Sequence, residues 1–409
     1  MSASAGADRS LITTRHEFDA LLRDLRAAGR FALDTEFVSE ETFEPVLCLV
    51  QVATADRCAA IDPIALDGLD ELWELVLDPS VEVVMHAAGE DLRICKIKTG
   101  RLPRRVVDVQ VAAGLVGFGY PTSLTNLVAQ VMRVNLAGSE TRTDWRRRPL
   151  TPAQIDYALD DVRHLTAIAD KLNARLEVLD RLEWAESEYR ARIEEIDARD
   201  DDDRWRRLPG LGKLSRRGLE AARLLSEWRL DEARRANRPP KQILRDDLLT
   251  AIARRLPRHP RDLDALREFN RPHLRNFARD LIEVVEAALA TPNDDLPEHG
   301  ERPEDGPGAQ MVVSLLAATM NWCCAKSRVA VGLTGSQNDL RDVLRRHLDD
   351  HAHGPTPALL DGWRLEVCGR ALLDVVSGRS SLRIGDPSSD TPIVVEPVAA
   401  PADEGAEAC

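Results

Sequence analysis

The chain has 409 residues, of which 44% are hydrophobic and 30% charged, so it is long enough to form two or three globular domains. No apolar run approaches the roughly 18 residues of a membrane span. The seven cysteines include no CxxC pair, and this absence argues against a zinc ribbon. Free thiols predict a reducing compartment, by default the cytoplasm. The net charge of −14 argues against nucleic acid as a partner, but residues 204–290 hold a local excess of Lys and Arg, which is compatible with phosphate binding.

The first elements are an amphipathic helix and a strand that carries two acids. Apolar residues recur at helical spacing over 16–29, and the apolar segment 31–38 that follows contains Asp34 and Glu36. On a strand, side chains two residues apart point to the same face. Two ionised carboxylates that close repel each other, and a cation between them removes the repulsion. An edge strand with a solvated polar face is the alternative interpretation.

The segments after this strand alternate between strand and helix patterns. Short connections favour an antiparallel meander through the strands at 45–54 and 57–62. Strands and helices then alternate, which predicts a three-layer α/β domain with a mixed sheet. The predicted elements are a helix at 70–77, a strand at 81–86, a helix at 89–98, a strand at 106–109, and helices near 109–117 and 123–134.

A basic loop at 138–150 precedes a helix with a well-marked start. Thr151 can cap the helix, Pro152 suits its first position, and Gln154 completes a capping box. Tyr157 and Asp161 lie four residues apart, so they share one face of this helix.

Composition divides the rest of the chain. Helical periodicity predicts two all-α units, separated by a linker rich in Pro and acids and followed by an acidic tail that we expect to be disordered. The predicted boundaries are 1–203 for the α/β domain, 204–290 for the first helical unit, 291–308 for the linker, 309–385 for the second helical unit and 386–409 for the tail.

Acidic residues from separate elements suggest a metal site. Asp34 and Glu36 lie on a strand, Asp91 lies at the start of a helix after a buried strand, and Asp161 lies one turn after Tyr157. Such carboxylates can converge to hold Mg²⁺ or Mn²⁺, which prefer oxygen ligands. Two ions about 3.5–4 Å apart can activate a water and stabilise the leaving oxygen in phosphodiester cleavage.

The same residues carry a family resemblance. The segments Asp34-Thr-Glu36-Phe37, His86-x4-Asp91 and Tyr157-x3-Asp161 resemble the three motifs of the DEDD superfamily of 3′–5′ exonucleases, in its tyrosine-type branch. The sequence TRTDWRRRPLTPAQIDYALDDV resembles the third-motif region of the ribonuclease D family. Residues 204–290 resemble an HRDC domain, and 309–385 resemble a second, divergent HRDC-like domain. The resemblance implies a ribonuclease H-like mixed-sheet exonuclease domain in 1–203.

The resemblance also implies a role for each residue. Asp34, Glu36 and Asp161 would bind the metal that activates water, and Asp34 would also hold the second metal, with Asp91 contributing directly or through water. Tyr157 would orient the attacking water. The ions would be Mg²⁺ or Mn²⁺, and each step would release one nucleoside 5′-monophosphate.

Substrate contacts are expected at less specific positions, each with a structural alternative. Aromatic side chains stack on single-stranded bases, so Phe37 could contact the terminal base or belong to the core, and His86 could contact the nucleotide or be a buried histidine. The Arg-rich loop and a basic stretch in the first helical unit could hold the RNA backbone or be merely solvated. The residues concerned are Arg142 and Arg146 in the loop, and Arg234, Arg235, Arg238 and Lys241 in the helical unit.

The function expected from these features is trimming of RNA 3′ ends, such as those of tRNA precursors and other small structured RNAs. The helical units would dock structured RNA while its single-stranded end enters the acidic site. A DNA exonuclease of the repair type shares the carboxylate motifs and is the first alternative, and a non-catalytic RNA-binding scaffold is the second. Neither a membrane nor an obligate protein partner is expected.

Overall fold

The structure is a computed structural model that describes residues 10–136, 143–198, 205–267, 269, 271–299, 305–349 and 354–398. It contains an α/β domain followed by two helical domains, as the sequence predicts. Within these ranges, no helix is both long and apolar enough to cross a membrane.

The α/β domain is built on a six-stranded mixed sheet with the strand order β1-β4-β3-β2-β5-β6. The predicted meander is present, because β2, β3 and β4 are antiparallel neighbours. Parallel pairs join β1 to β4, β2 to β5, and β5 to β6. The strands are β1 Ser10–Ile12, β2 Arg30–Val38, β3 Val46–Ala53, β4 Cys58–Ile61, β5 Glu82–Met85 and β6 Val106–Asp108.

The helices of this domain cover both faces of the sheet. Apolar side chains from one face pack with the first three helices, and those from the other face pack with the helices that follow the last strand. The helices are α1 Arg15–Ala28, α2 Asp70–Leu77, α3 Gly89–Thr99, α4 Val109–Leu115, α5 Leu124–Met132, α6 Pro152–Arg163, α7 Leu165–Val178 and α8 Leu182–Asp197.

The first helical domain has its own core and docks on the loop that follows β2. The Phe43 amide donates to Asn237 Oδ1 at 3.2 Å, and Gln242 Nε2 donates to the Glu40 carbonyl at 2.8 Å. The strand that carries Asp34 and Glu36 therefore leads directly into a contact with this domain. Its helices are α9 Arg216–Ala236, α10 Pro240–Ile243, α11 Asp246–Arg255, α12 Pro260–Leu263, α13 Pro272–Arg275 and α14 Ala278–Ala290.

The second helical domain shares one continuous hydrophobic core with the α/β domain. Its elements are α15 Ala309–Ser327, α16 Val331–Thr334, α17 Gln337–Leu348, α18 Gly362–Arg364, a π-helical turn at Leu365–Gly369, and α19 Arg370–Val376. Such a core makes the second helical domain one packed unit with the α/β domain.

Polar contacts reinforce this interface. Arg364 forms a two-pronged ion pair with Glu188 of α8 at 2.6 and 3.0 Å, and the Trp363 indole N–H donates to the same carboxylate at 2.8 Å. Trp363 also stacks on Trp184 with the ring centroids 5.5 Å apart. The buried Arg181 donates to main-chain carbonyls on both sides of the interface.

Two short strand pairings were not foreseen. Ser10–Ile12 adds a parallel edge strand to the sheet, and β7 Ser380–Ile384 pairs with β8 Ile393–Pro397 in an antiparallel hairpin. The expectation of disorder from residue 386 onward is therefore wrong for β8, because backbone hydrogen bonds to β7 order it despite its acidic surroundings. Residues 399–409 lie outside the described part of the chain.

Candidate active site

Three carboxylates from two elements meet on one face of the sheet. Asp34 and Glu36 project from β2 to the face covered by α6, which supplies Asp161. One oxygen from each of the three groups lies within 4.8 Å of the others, an arrangement that could hold a metal ion. The convergence expected from the sequence is therefore present for these three residues.

Helix α6 places Asp161 and Tyr157 together. Thr151 caps the helix in a complete capping box with Gln154, so the start of the helix is fixed and the two side chains four residues apart point the same way. The Tyr157 hydroxyl donates a hydrogen bond to the Asp161 carboxylate, which partly offsets the rise that burial causes in the pKa of Asp161. The Tyr157 ring lies beside that of the buried Trp145, with the centroids 6.3 Å apart.

Asp91 approaches the cluster from the other edge of β2. Strand β5 pairs with β2 only over Arg30–Ala32, so the end of β2 has an open edge, and Asp91 in the first turn of α3 reaches Thr35 there. The Thr35 hydroxyl donates to Asp91 Oδ1 at 2.6 Å. Asp91 lies outside the group of three, yet its charge acts on Asp34 and Glu36, so its position fits the predicted contribution to a second ion.

A residue that the sequence did not single out holds the turn before α3. The buried carboxylate of Asp108 accepts hydrogen bonds from the backbone amides of Ala87, Ala88 and Gln110 at 2.9–3.0 Å. Ala87 has a positive φ of 56°, which is uncommon for a residue with a Cβ. Asp108 thus stabilises the turn that brings Asp91 to the site, and its only sequence signal is an acid at the end of a buried strand.

Burial raises the pKa of every carboxyl group in the cluster, and repulsion between members of the cluster adds to the rise at Asp34 and Glu36. Burial, followed by the charges of Asp91, Asp161 and Glu36, raises the pKa of Asp34 well above its ordinary value. Burial and the charges of Asp161 and Asp91 raise the pKa of Glu36 to about 8. For Asp91 and Asp161, burial raises the pKa to about 7. Such crowded negative charge is stabilised by bound cations.

Phe37 and His86 border the cluster but contact protein groups. Phe37 is half-buried against the core beneath α3 and follows an irregularity in the β2–β3 register. His86 Nε2 donates to the Thr122 carbonyl at 3.0 Å, and burial lowers the pKa of its ring. Contact of either residue with a nucleotide stays a prediction.

The predicted basic contacts fall in different places. Arg146 pairs with Asp144 and with Glu41 of the loop after β2. At the domain contact, Arg234 lies over the Phe43 ring. The basic residues of the helical unit form ion pairs with nearby acids: Arg234 with Asp231, Arg235 with Glu232, and Lys241 with Asp246. Arg238 is exposed, and Arg142 lies outside the described residues. Among the described residues, Arg146, Arg234, Arg235 and Lys241 are each paired with an acid, and an RNA-binding role for the basic residues stays a prediction.

Comparisons with known proteins agree with this arrangement. Residues 10–177 match the 3′–5′ exonuclease domain family, and residues 219–285 match the HRDC domain family. Ribonuclease D of Gluconacetobacter diazotrophicus is 36% identical over 387 residues, which cover 92% of this chain and 95% of the relative. Ribonuclease D of Escherichia coli is 31% identical over 88% of this chain and 96% of its own length. The crystal structure of E. coli RNase D, an exoribonuclease involved in structured RNA processing, superimposes with a TM-score of 0.79 at 29% identity, covering 90% of this chain and 98% of that chain.

Proposed function

Because this chain belongs to the ribonuclease D family of 3′–5′ exoribonucleases, we propose that it trims the 3′ ends of tRNA precursors and other small structured RNAs, releasing nucleoside 5′-monophosphates. The observation that carries the proposal is the meeting of Asp34, Glu36 and Asp161 oxygens within 4.8 Å, with Asp91 beside them.

The donor set fits hard divalent cations. All the candidate ligands are carboxylate oxygens, which suit Mg²⁺ and Mn²⁺. Burial and, after it, the neighbouring charges raise the pKa of Asp34 and Glu36, and a bound cation would offset that repulsion. Asp34, Glu36 and Asp161 would hold one ion, and Asp34 with Asp91 would hold the second. When bound, the ions would activate the attacking water and stabilise the departing oxygen.

Tyr157 would orient the water that attacks the last phosphodiester. Its hydroxyl proton is directed to Asp161, and a lone pair of the phenol oxygen would accept a hydrogen bond from the water. An unperturbed phenol has a pKa near 10, so Tyr157 is a weak base and its main contribution would be orientation. Attack at phosphorus would break the bond to the 3′ oxygen of the preceding nucleotide and leave the phosphate on the released nucleoside.

Contacts to the rest of the RNA would come from residues around the site. Phe37 and His86 would contact the terminal nucleotide, while Arg142 and Arg146 would contact backbone phosphates, a contribution that weakens with salt. The HRDC domain, including Arg234, Arg235, Arg238 and Lys241, would dock the structured part of the RNA. The Arg146–Glu41 ion pair would have to open for Arg146 to bind a phosphate.

The proposed location is the cytoplasm. The six cysteines in the described part of the chain are all unpaired, which suits a reducing compartment.

A cleavage assay separates this proposal from its rivals. Purified protein is incubated with 3′-extended tRNA and with single-stranded DNA, in Mg²⁺ or in EDTA. Metal-dependent shortening of the RNA, one nucleotide at a time, supports the proposal. Equal or faster degradation of DNA would instead make the protein a DNA exonuclease, and binding without nucleotide release would make it a scaffold.

A further inference from the structure

Gln51 is a polar side chain buried inside the sheet without a partner. It lies in β3 among apolar residues and is 0% exposed. Neither its amide oxygen nor its amide nitrogen has a hydrogen-bond partner within the described residues. An amide that is buried without hydrogen bonds is costly, since its interactions with water are lost and not replaced. An unsatisfied group of this kind calls for an explanation.

The strand register places Gln51 directly opposite Asp34. Residues that face each other on antiparallel strands project to the same side of the sheet, with Cβ atoms about 4.5–5.5 Å apart. Asp34 pairs with Gln51, and Glu36 pairs with Leu49 at the next position on the same face. Gln51 is therefore the polar neighbour of Asp34 on the β3 side, while Asp91 approaches from the open edge on the other side.

The surroundings leave the amide few other partners. On its far side, Gln51 faces the small side chain of Ala60 in β4, and α6 packs over this part of β3. Ala158 and Leu159 are the buried residues that α6 brings to this region. An apolar residue would fill such a position without leaving polar atoms unsatisfied, so packing gives no reason for an amide here.

We propose that Gln51 is a positioning residue for Asp34. With metal bound, the Gln51 Nε2 group donates a hydrogen bond to the Asp34 carboxylate and fixes its orientation toward the ions. The nitrogen rather than the oxygen faces the carboxylate, because an ionised carboxylate can only accept hydrogen bonds. Partners of this kind orient metal ligands in many proteins. This inference rests on the proposed metal-dependent function.

The first test compares Gln51→Met with the wild type and with Gln337→Met. Methionine keeps the length of the side chain and removes the amide, and Gln337 is an exposed residue at the start of α17 that receives the same change. We expect Gln51→Met to weaken Mn²⁺ binding and lower kcat, each about tenfold, with KM little changed. The Tm of the metal-free protein should stay the same or rise, because an unsatisfied buried amide is removed. Gln337→Met should match the wild type throughout.

Unchanged Mn²⁺ affinity in a folded Gln51→Met protein would overturn the proposal. If the Tm of the metal-free variant also fell, the role of Gln51 would be purely structural.

If the Gln51→Met variant does not fold, an experiment on the wild type tests the proposal instead. The side-chain amide signal of Gln51 in a Gln-labelled NMR sample should shift on Mg²⁺ addition while that of Gln337 does not, and a stationary Gln51 signal would refute the inference. A wild type that neither binds metal nor releases nucleotides would refute the proposed function itself.

Discussion

Replacing Glu188 with alanine should destabilise the α/β domain and the second helical domain together, because Glu188 lies at the interface between them. Glu188 accepts two hydrogen bonds from Arg364 at 2.6 and 3.0 Å and one from the Trp363 indole at 2.8 Å. The Glu188 and Arg364 side chains are only 14% and 22% exposed. The substitution leaves a largely buried guanidinium and an indole N–H without their carboxylate.

The expected size of the effect follows from that burial. Breaking a fully buried ion pair costs about 3–5 kcal/mol. The Arg364 guanidinium keeps the carbonyls of Leu333 and Thr334 as partners, and both charged groups retain some contact with water. We therefore expect Glu188→Ala to lower the free energy of unfolding by about 2–3 kcal/mol. Turnover at 25 °C should be unchanged, because the folded protein keeps its active site.

Urea denaturation followed by circular dichroism measures this loss. Glu186→Ala is the matched control, since Glu186 lies on the same helix but is exposed, and surface substitutions usually change stability by less than about 0.5 kcal/mol. A loss for Glu188→Ala no larger than that of the control would refute the reasoning. The second helical domain would then be loosely attached, and the shared core would contribute little to stability.

Three further predictions address the active-site helix, the basic loop and the domain contact. Tyr157→Phe should lower kcat at least about a hundredfold without weakening RNA binding measured in EDTA, because the hydroxyl that would orient the water and that hydrogen-bonds to Asp161 is lost; a near-normal kcat would exclude that role. Arg148 donates two hydrogen bonds to the buried Asp62 carboxylate, at 2.6 and 2.8 Å. Burial by itself would raise the pKa of Asp62, but the hydrogen bonds and the charge of Arg148 lower it overall. The stability that this pair contributes is therefore present above the unfolded pKa near 3.9 and is lost as pH falls through the lower folded pKa. The difference in free energy of unfolding between wild type and Arg148→Met should shrink below about pH 4. A difference that does not depend on pH would contradict this. Asn237→Gly combined with Gln242→Ala keeps the left-handed backbone conformation at the end of α9 but removes both hydrogen bonds to the loop after β2. Small-angle scattering should then show a larger radius of gyration, and an unchanged profile would argue against docking through these contacts.

The parts of the site that depend on local pattern could be predicted from the sequence. Strand alternation puts Asp34 and Glu36 on one face, and the capping box that starts α6 fixes where Tyr157 and Asp161 point. Both patterns depend only on residues a few positions apart. The approach of Asp91 to the open edge of β2 required the family resemblance, because periodicity does not reveal which strands are neighbours.

What depends on distant contacts could not be predicted. Gln51 is one polar residue in an apolar strand, and its position opposite Asp34 is known only from the register. The basic stretch near residue 234 is compatible with an RNA-binding face or with a solvated one, and Arg234 and Arg235 pair with acids three residues earlier, so the RNA-binding role stays a prediction. That spacing was visible in the sequence as a sign of local neutralisation. Helix α15 belongs to the core that the second helical domain shares with the α/β domain, and helical periodicity alone does not reveal which domain such a helix packs against.

The measurement that tests the central claim most directly is 3′-end trimming by Asp34→Asn. Asparagine has nearly the same size but removes the charge of the residue expected to contact both ions. We expect wild-type protein in Mg²⁺ to shorten a 5′-labelled RNA with a single-stranded 3′ end by single nucleotides, and Asp34→Asn to leave it intact while retaining the wild-type circular dichroism spectrum. Normal trimming by a folded Asp34→Asn protein would contradict the account and place the catalytic site elsewhere.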